Sequence, residues 1–340
     1  MSDSEGDTQS ELEALFEPQG TVESLTRWER VKQQYDLYVR APLKVAINDW
    51  RTVVGLGLLI LFGLAGTVGV WFTAAPSSGQ APFLLGPFEN WAYPLGTDVL
   101  GRPIHTQLIH ATPAMFQMIL GGAGLAIGLA TVVGLLSGFL RDTVVDRVLM
   151  TIADVVITIP GLPLVMVLVA VFQPRNPYVV GVLLGLDAWP ALARQIRSQV
   201  LSIREEHYVE ASRIMGLRIW TILRRDLLGQ LTPYIAINAA LAARGIIFGS
   251  VGLYFIGVLP FNALNWGVMM NMAYASGALN ETAKLHWLLW PMLTIFLLSV
   301  SFVLLSQGLD SVFNVRLRAR HAQTAGEGDT SASKGEHDNA

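Results

Sequence analysis

The sequence predicts an all-α protein that crosses a membrane six times. Of its 340 residues, 52% are hydrophobic and 14% are charged, and the mean hydropathy is +0.46. Soluble domains carry about 25% charged residues, so this chain has too few charges for an ordinary solvated surface. Six apolar stretches approach the roughly 20 residues that a helix needs to cross a bilayer. The composition therefore argues against a soluble enzyme and for a polytopic membrane protein.

The six apolar stretches follow one another through the body of the chain. The first two are uncharged, the third to fifth contain prolines and charged residues, and the sixth has only His286 near its start. Charges and prolines inside a span are tolerated where they face protein or a water-filled cavity, and not where they face lipid. The predicted spans are residues 52–73, 114–140, 149–172, 178–197, 232–259 and 285–309.

The ends of the chain differ in charge from its body. Residues 1–20 hold six acids and no base, whereas residues 321–340 hold four acids and one base, so the formal charge of −3 leaves +6 on residues 21–320. The acidic start lacks the basic region of a signal peptide, so the first span is expected to be retained. The expected divisions are a disordered acidic tail (1–20), a cytoplasmic amphipathic segment (21–51), the first span and its outer loop (52–112), a five-span core (113–310) and a disordered cytoplasmic tail (311–340).

The basic residues predict the orientation of these spans. Nineteen of the 23 Lys and Arg residues lie before the first span, in alternate loops and after the sixth span, whereas three lie in the other loops and Arg244 lies inside a span. Positive charge accumulates on the cytoplasmic side of membrane proteins. Both termini are therefore expected in the cytoplasm, in a multi-pass protein of the cell membrane.

The outer loop after the first span carries a compact polar motif at its end. Gly96-Thr97-Asp98 is followed by Gly101-Arg102, just before the second span. An Asp between two glycines suits a side-chain-capped turn that leads into a helix. On spacing alone, the motif is a turn at the entrance of a span.

The longest inner loop, residues 198–231, predicts two helices outside the membrane. Apolar residues recur with helical spacing on both sides of Gly216, which would end the first helix or turn the chain. The arginines of the loop suit a helix pair lying on lipid headgroups. The mixed charges and small residues suit a docking element for a cytoplasmic partner. Composition leaves both interpretations open.

Two charged residues are predicted near the middle of the membrane. At about 1.5 Å per residue, Asp187 lies about 14 Å into the fourth span from outside and Arg244 about 18 Å into the fifth from inside. An unpaired charge there costs about 3 kcal/mol on insertion scales. We therefore expect both residues to face the bundle interior, either as a structural pair or as part of a translocation pathway.

The residue inventory excludes several kinds of catalytic site. The chain has no cysteine, so it has no disulfide, no thiolate nucleophile and no Cys-ligated zinc. It has no Gly-x-x-x-x-Gly-Lys phosphate loop, and no histidine lies deep in a span, which disfavours an intramembrane Ser–His enzyme. No metal site and no nucleic-acid partner are predicted. An ion-coupled secondary transporter using Asp187 and Arg244 remains the alternative from another functional class.

The inner loop also resembles a known family. Glu210-Ala211-Ser212, then Gly216, then Leu227-Leu228 resembles the EAA loop of ABC importer permeases. Gly96-Thr97-Asp98 with Gly101-Arg102 resembles the signature before the second span of the dipeptide, oligopeptide and nickel permease subfamily, in its C-type subunit. Ser212 stands where the family has Ala, and Gly229 where it has Pro. Further matching residues are Asp146, Asp154, Trp189, Pro190, Arg194 and Arg204.

The resemblance implies a type I ABC importer permease fold and a set of partners. The segment from Glu210 to Gly216 would be the coupling helix that inserts into an ATPase subunit. This chain would bind no cofactor and catalyse no reaction, because ATP and magnesium would be bound by the ATPase. The implied partners are a homologous permease in a heterodimer, two ATPase subunits and an extracytoplasmic substrate-binding protein, besides the lipid bilayer. The subfamily implies a peptide substrate, with nickel and sugars as alternatives.

Overall fold

The computed structural model describes residues 47–206, 214–261 and 264–335, with side chains through residue 311 except that of Arg225. Three predicted features lie outside the described residues: the tail at 1–20, most of the segment at 21–51, and the motif Glu210-Ala211-Ser212. The described part of the chain is helical and contains no strand, apart from one isolated bridge between Thr97 and Pro103.

The helices are numbered here in chain order. α1 spans Trp50–Phe72 and includes a π-helical turn at Ala65–Gly69. The others are α2 (Ile104–Phe139), α3 (Val144–Thr158), α4 (Gly161–Phe172), α5 (Pro177–Ile203), α6 (Ile219–Ile222), α7 (Leu228–Phe255), α8 (Trp266–Ala275) and α9 (Thr282–Gly335). A π-helical turn at Leu223–Leu227 joins α6 to α7.

The all-helical membrane fold is confirmed. Five described helices are long and apolar enough to span a bilayer, and α3 and α4 together form a sixth candidate that is bent by 88°. The bend lies where the sequence places Pro160, which cannot donate the backbone hydrogen bond that would continue α3 into α4. The predicted third span is therefore a broken one.

Several helix boundaries differ from the predicted ones, and one helix was not predicted. α2 begins at Ile104, ten residues before the predicted start, because Pro113 lies within the helix and the polar residues before it hide the apolar pattern. α8 occupies part of the loop that was expected to connect the last two spans. α9 continues to Gly335, through residues expected to form a disordered tail. Leu, Arg and Ala, which favour helix, dominate residues 315–322 and continue the helix begun in the membrane.

α2 and α5 form the central helix pair of the fold, in contact along most of their lengths. Small residues allow this close approach. A side-chain carbon added at Gly181 or Gly185 would collide with the backbone carbonyl of Met118 or Gly122 on α2. Close backbone contact through glycine is a common way for helices to associate in membranes, where lipid removes most of the hydrophobic driving force.

α1 lies at the edge of the bundle. Only 6% of its apolar window is buried, so most of its surface is available to lipid. Its main neighbour is α9, where Gly55 packs against the backbone around Ser301 and Leu305, and Gly308 packs against Thr52. At the end of this contact the carboxylate of Asp49 caps α1 and accepts a hydrogen bond from the Ser311 hydroxyl at 2.6 Å.

Candidate functional site

The polar motif before α2 folds into a buried turn centred on Asp98. Its side chain is fully buried and accepts hydrogen bonds from the backbone N–H groups of Leu100 and Arg102, each at 2.9 Å. The second carboxylate oxygen accepts from Arg102 Nε at 2.6 Å and from Gln107 Nε2 at 3.1 Å. Four donors therefore compensate for the burial of this charge. The predicted capped turn is present, and it also contains an ion pair.

Thr97 and Gly96 attach the outer loop to this turn and to α9. The Thr97 hydroxyl donates to the carbonyl of Pro82 at 2.6 Å and accepts from the N–H of Leu85 at 2.9 Å. The imidazole Nε2 of His286, at the start of α9, lies 3.1 Å from the carbonyl oxygen of Thr97. Gly96 has φ +80°, and a side chain there would meet the carbonyl of Leu85 and the His286 ring. Only glycine suits this position.

These contacts give the motif a positioning role. Arg102 reaches the sulfur of Met272 on α8 at 3.5 Å, and Gly101 lies against the carbonyl of Ala81 in the outer loop. The motif therefore connects the outer loop, the start of α2 and the outer ends of α8 and α9. No ligand-binding arrangement is evident around it, because the carboxylate is fully occupied.

The inner loop is described up to Glu206 and again from Ile214 onward. Ile214 is helical, Met215 and Gly216 form a turn, and Gly216 has φ +71°. The predicted turn at Gly216 and the predicted second helix from Ile219 are both present. Around the turn the chain exposes a set of large apolar side chains, which we call the inner apolar surface: Ile214, Met215, Leu217, Ile219 and Trp220.

The opposite side of this segment is anchored in the protein. Ile222, Leu223 and Leu227 are buried with Leu231 in a cluster shared with α2 and α5, and Leu228 packs against its edge. Leu227 and Leu228, which the family resemblance places in the coupling motif, thus fix the segment to the bundle. The inner apolar surface projects from this rigid base.

The structure does not bring Asp187 and Arg244 together. Both side chains are exposed in the isolated chain, and no ion pair joins them among the described residues. The Asp187 carboxylate lies directly against Gly161, the first residue of α4 at the bend of the broken span. The Arg244 guanidinium lies 5.5 Å from the ring centre of Phe248, one turn further along α7.

Two ion pairs on the inner half of the bundle join α3 to α5. Arg197 contacts the carboxylate of Asp146 through Nε and Nη2, at 2.9 and 2.8 Å, and Arg194 pairs with Asp154. Sequence reasoning noted three of these four residues as family matches but did not pair them. Two arginines three residues apart and two aspartates eight residues apart each fall on one side of a helix, a spacing that could have indicated the pairing.

The stem of the inner loop is tied to α2 as well. Arg204 Nη1 donates to the carbonyls of Gly138 and Phe139 at 3.2 and 3.3 Å. These carbonyls lie at the C-terminal end of α2, where the helix dipole places partial negative charge, so a cationic donor stabilises them. Glu205 lies 4.0 Å from Arg141 in the neighbouring loop. The inner loop therefore leaves the bundle from a fixed point.

The described residues hold no group of three or more His, Cys, Asp or Glu side chains that could bind a metal. The contacts described above connect and position parts of the bundle. An outer turn holds loop and helix ends together, and an inner segment presents an apolar surface. Ion pairs join α5 to α3, the first half of the broken span, and the bend of that span lies against the exposed Asp187 carboxylate of α5.

Comparison with known proteins shows one family over the core of the chain. Residues 130–319 match the family described as the binding-protein-dependent transport system inner membrane component. This region begins within α2 and includes α3 to α8 and most of α9.

Individual relatives extend the similarity over most of the chain. The nickel transport system permease protein of Escherichia coli is 27% identical over 284 residues, covering 81% of this chain and 98% of the relative. The dipeptide transport system permease protein of Bacillus subtilis is 28% identical over 301 residues, covering 84% and 90%. The glutathione transport system permease protein of Pectobacterium atrosepticum is 29% identical over 229 residues, covering 67% and 74%.

Proposed function

We propose that the substrate of this chain is a peptide. The premise is that the chain belongs to the binding-protein-dependent transport system inner membrane components and is the permease subunit of an ABC importer. The observation that carries the proposal is the similarity to the dipeptide permease, which extends over 84% of this chain. The glutathione relative transports a modified tripeptide, which is the same chemical class. The similarity to the nickel permease makes a metal ion the alternative substrate that an experiment has to exclude.

The inner loop is the proposed contact with the ATPase. Glu210, Ala211 and Ser212 carry the family pattern, and Gly216 turns the chain directly after them. The inner apolar surface supports this assignment, because exposed Ile, Met and Trp side chains beside a fixed base suit a protein groove. Leu227 and Leu228 are proposed as the anchors through which a push on the loop reaches the bundle.

Asp187 and Arg244 are the proposed pathway residues. Each is charged, lies within a candidate span and is exposed in the single chain. Charges at such depth face protein or water. A cavity between this chain and a second permease would satisfy that requirement, and the two opposite charges would suit the charged ends of a peptide.

The remaining assignments follow from the family. The chain is an integral membrane protein, and we propose that both its termini are cytoplasmic, as the basic residues indicate. We propose as its partners a homologous permease, two ATPase subunits that bind ATP and magnesium, and an extracytoplasmic binding protein. The chain itself is proposed to bind no cofactor and to catalyse no reaction.

Purification of the tagged chain from its native membrane tests the proposed assembly. We expect a second permease and an ATPase to co-purify, and the ligand of the matching binding protein, identified by mass spectrometry, to be a peptide. A nickel ion or a sugar as that ligand would overturn the peptide assignment while leaving the permease assignment intact.

A matched pair of substitutions tests the coupling surface. Trp220 is 67% exposed on the inner apolar surface, and Trp71 is 90% exposed at the other end of the molecule. We expect Trp220→Ser to weaken ATPase binding by about tenfold or more, since one buried aromatic anchor contributes at least ~1.4 kcal/mol. Trp71→Ser should leave ATPase binding unchanged. Equal effects of the two substitutions would contradict the assignment.

A further inference from the structure

We infer that α3 and α5 move as one rigid unit during transport, held by the pairs Asp146–Arg197 and Asp154–Arg194, and that the broken span changes shape at the junction of α3 and α4. Asp146 and Arg197 are therefore positioning residues for transport. The inference rests on the proposed function, because it supposes that a cytoplasmic ATPase drives the inner loop.

The Asp146–Arg197 pair has the geometry of a rigid connection. Both carboxylate oxygens are engaged by the same guanidinium, and one of them also accepts the N–H of Asp142 at 3.2 Å. The Asp146 side chain is 4% exposed and that of Arg197 27% exposed. A bidentate pair shielded from water fixes orientation as well as distance. A tilt of α3 relative to α5 would break both hydrogen bonds.

The second pair, in which both side chains are 50% exposed, adds a second point of contact between the two helices. Arg194 lies one turn before Arg197 on α5, and Asp154 lies two turns after Asp146 on α3. Together the pairs line an open cleft of about 810 Å³ between the two helices. Ala153 of α3 is buried in an apolar cluster with Leu192, Ala193 and Ile196 of α5. The ion pairs therefore add fixed orientation to an apolar contact between α3 and α5.

The same unit reaches the inner loop. α5 ends at Ile203, and Arg204 fixes the start of the loop to the end of α2. A force on the loop therefore acts at the C-terminal end of α5, and the two ion pairs transmit it to α3.

The angle of the broken span can change at the junction of α3 and α4. Ile159 and Pro160 are in extended conformation, with ψ near 123°, and the two helices meet at 88°. No helical hydrogen bonds cross two extended residues, so changing the angle breaks no helix. The Asp187 carboxylate lies against Gly161 at this point, so the bend is next to the proposed pathway residue.

Distance measurements between spin labels test the rigid unit. The chain has no cysteine, so introduced pairs are its only labelling sites. Val148→Cys with Gln199→Cys reports the α3–α5 distance, and Val148→Cys with Val167→Cys reports the α3–α4 distance. In the complete complex with cysteine-free partners, ATP with vanadate should change the α3–α5 distance by about 2 Å or less and the α3–α4 distance by more than that. A larger change between α3 and α5 than between α3 and α4 would overturn the inference.

The ratio of peptide imported to ATP hydrolysed tests the positioning role. With radiolabelled dialanine as the probe, Asp146→Asn should lower this ratio at least about fivefold and broaden the α3–α5 distance distribution. Asp146→Glu, which keeps the charge, should keep the import-to-ATP ratio close to the wild-type value. The double variant, Asp146→Asn with Arg197→Gln, should have a ratio no lower than that of either single variant. Asp142→Asn is the matched control, because its side chain is 83% exposed.

The outcomes separate this inference from the proposed function. A wild-type complex that imports no dialanine would contradict the peptide proposal, whereas the distance measurements would still decide whether α3 and α5 move together. A wild-type complex that imports it, with Asp146→Asn at the same import-to-ATP ratio, would contradict the positioning role alone.

Discussion

At the scale of single residues, the charged groups of this protein fall into two kinds. Asp98 and Asp146 are buried and fully engaged by donors, so they hold the outer loop and α3 in place. Asp187 and Arg244 are exposed in the single chain and are not joined to each other. The first kind is structural, and the second is available to a substrate or a second subunit.

Removal of the Asp98 carboxylate should destabilise the outer loop. Asp98→Ala removes the carboxylate that Arg102 and Gln107 share, and breaking such a buried pair costs about 3 kcal/mol. We expect a lower free energy of unfolding in denaturant titrations. Glu89→Gln, an exposed change in the same loop, is the control, and equal stability of the two variants would refute the structural role of the motif.

Substitution of Gly161 by alanine should destabilise the bend between α3 and α4, because Gly161 lies against Asp187. A methyl group at Gly161→Ala would overlap the Asp187 carboxylate, at a cost of about 1–3 kcal/mol. Asp187→Ala in the same chain should relieve most of that cost, which a double-mutant cycle measures. Gly124→Ala, which meets no neighbouring atom within 4 Å, should be close to neutral. Additive effects of the two substitutions would show that the contact is not made.

The contact between α1 and α9 should weaken in acid. Hydrogen bonds from Ser311 and from the N–H of Arg51 hold the pKa of Asp49 below its usual value. A lowered folded-state pKa contributes stability that is present above the unfolded pKa, about 3.9, and lost as pH falls through the folded value. Between about pH 6 and about pH 3, we expect the free energy of unfolding to fall more in the wild type than in Asp49→Asn, which retains only the contributions of the other carboxylates. The same pH dependence in both proteins would contradict the assignment.

At the scale of helices, the molecule is organised by close packing and by one break. α2 and α5 form its centre through glycine contacts, and α3 is joined to α5 by polar pairs and interrupted before α4. A broken span therefore lies between two closely packed helices along the chain.

Close packing of α2 against α5 can be tested by adding one methyl group. Gly181→Ala would meet the carbonyl of Met118 and force the helices apart, at a cost of about 1–3 kcal/mol. Gly245→Ala on α7 has open space around it and should be neutral or stabilising, because alanine favours helix by up to about 1 kcal/mol. Thermal unfolding in detergent measures both, and a smaller loss for Gly181→Ala than for Gly245→Ala would be inconsistent with this packing.

Hydropathy was sufficient to predict the fold class and to locate every span, because membrane insertion depends on apolar length. It did not locate the start of α2 or reveal α8, where burial in the protein replaces contact with lipid. The turn at Asp98 and the turn at Gly216 follow from local chemistry and were predicted. The spacing of Asp146, Asp154, Arg194 and Arg197 is compatible with pairing, but which helix packs on which depends on the tertiary fold and cannot be derived from that spacing alone.

At the scale of the whole molecule, the chain belongs to a family of importer permeases and has the parts that such a subunit needs. Its apolar helices are long enough to span the membrane, its inner loop presents an apolar surface, and the bend of its broken span lies against the exposed carboxylate of Asp187 on α5. The outer turn and the inner ion pairs hold these parts in register.

ATP-dependent import by the reconstituted complex tests the central claim most directly. Proteoliposomes containing this chain, its partner permease and the ATPase should accumulate radiolabelled dialanine only with ATP, magnesium and the binding protein. They should lose accumulation when Glu210→Ala is combined with Trp220→Ser. Accumulation driven by an ion gradient in vesicles that contain this chain alone would contradict the account.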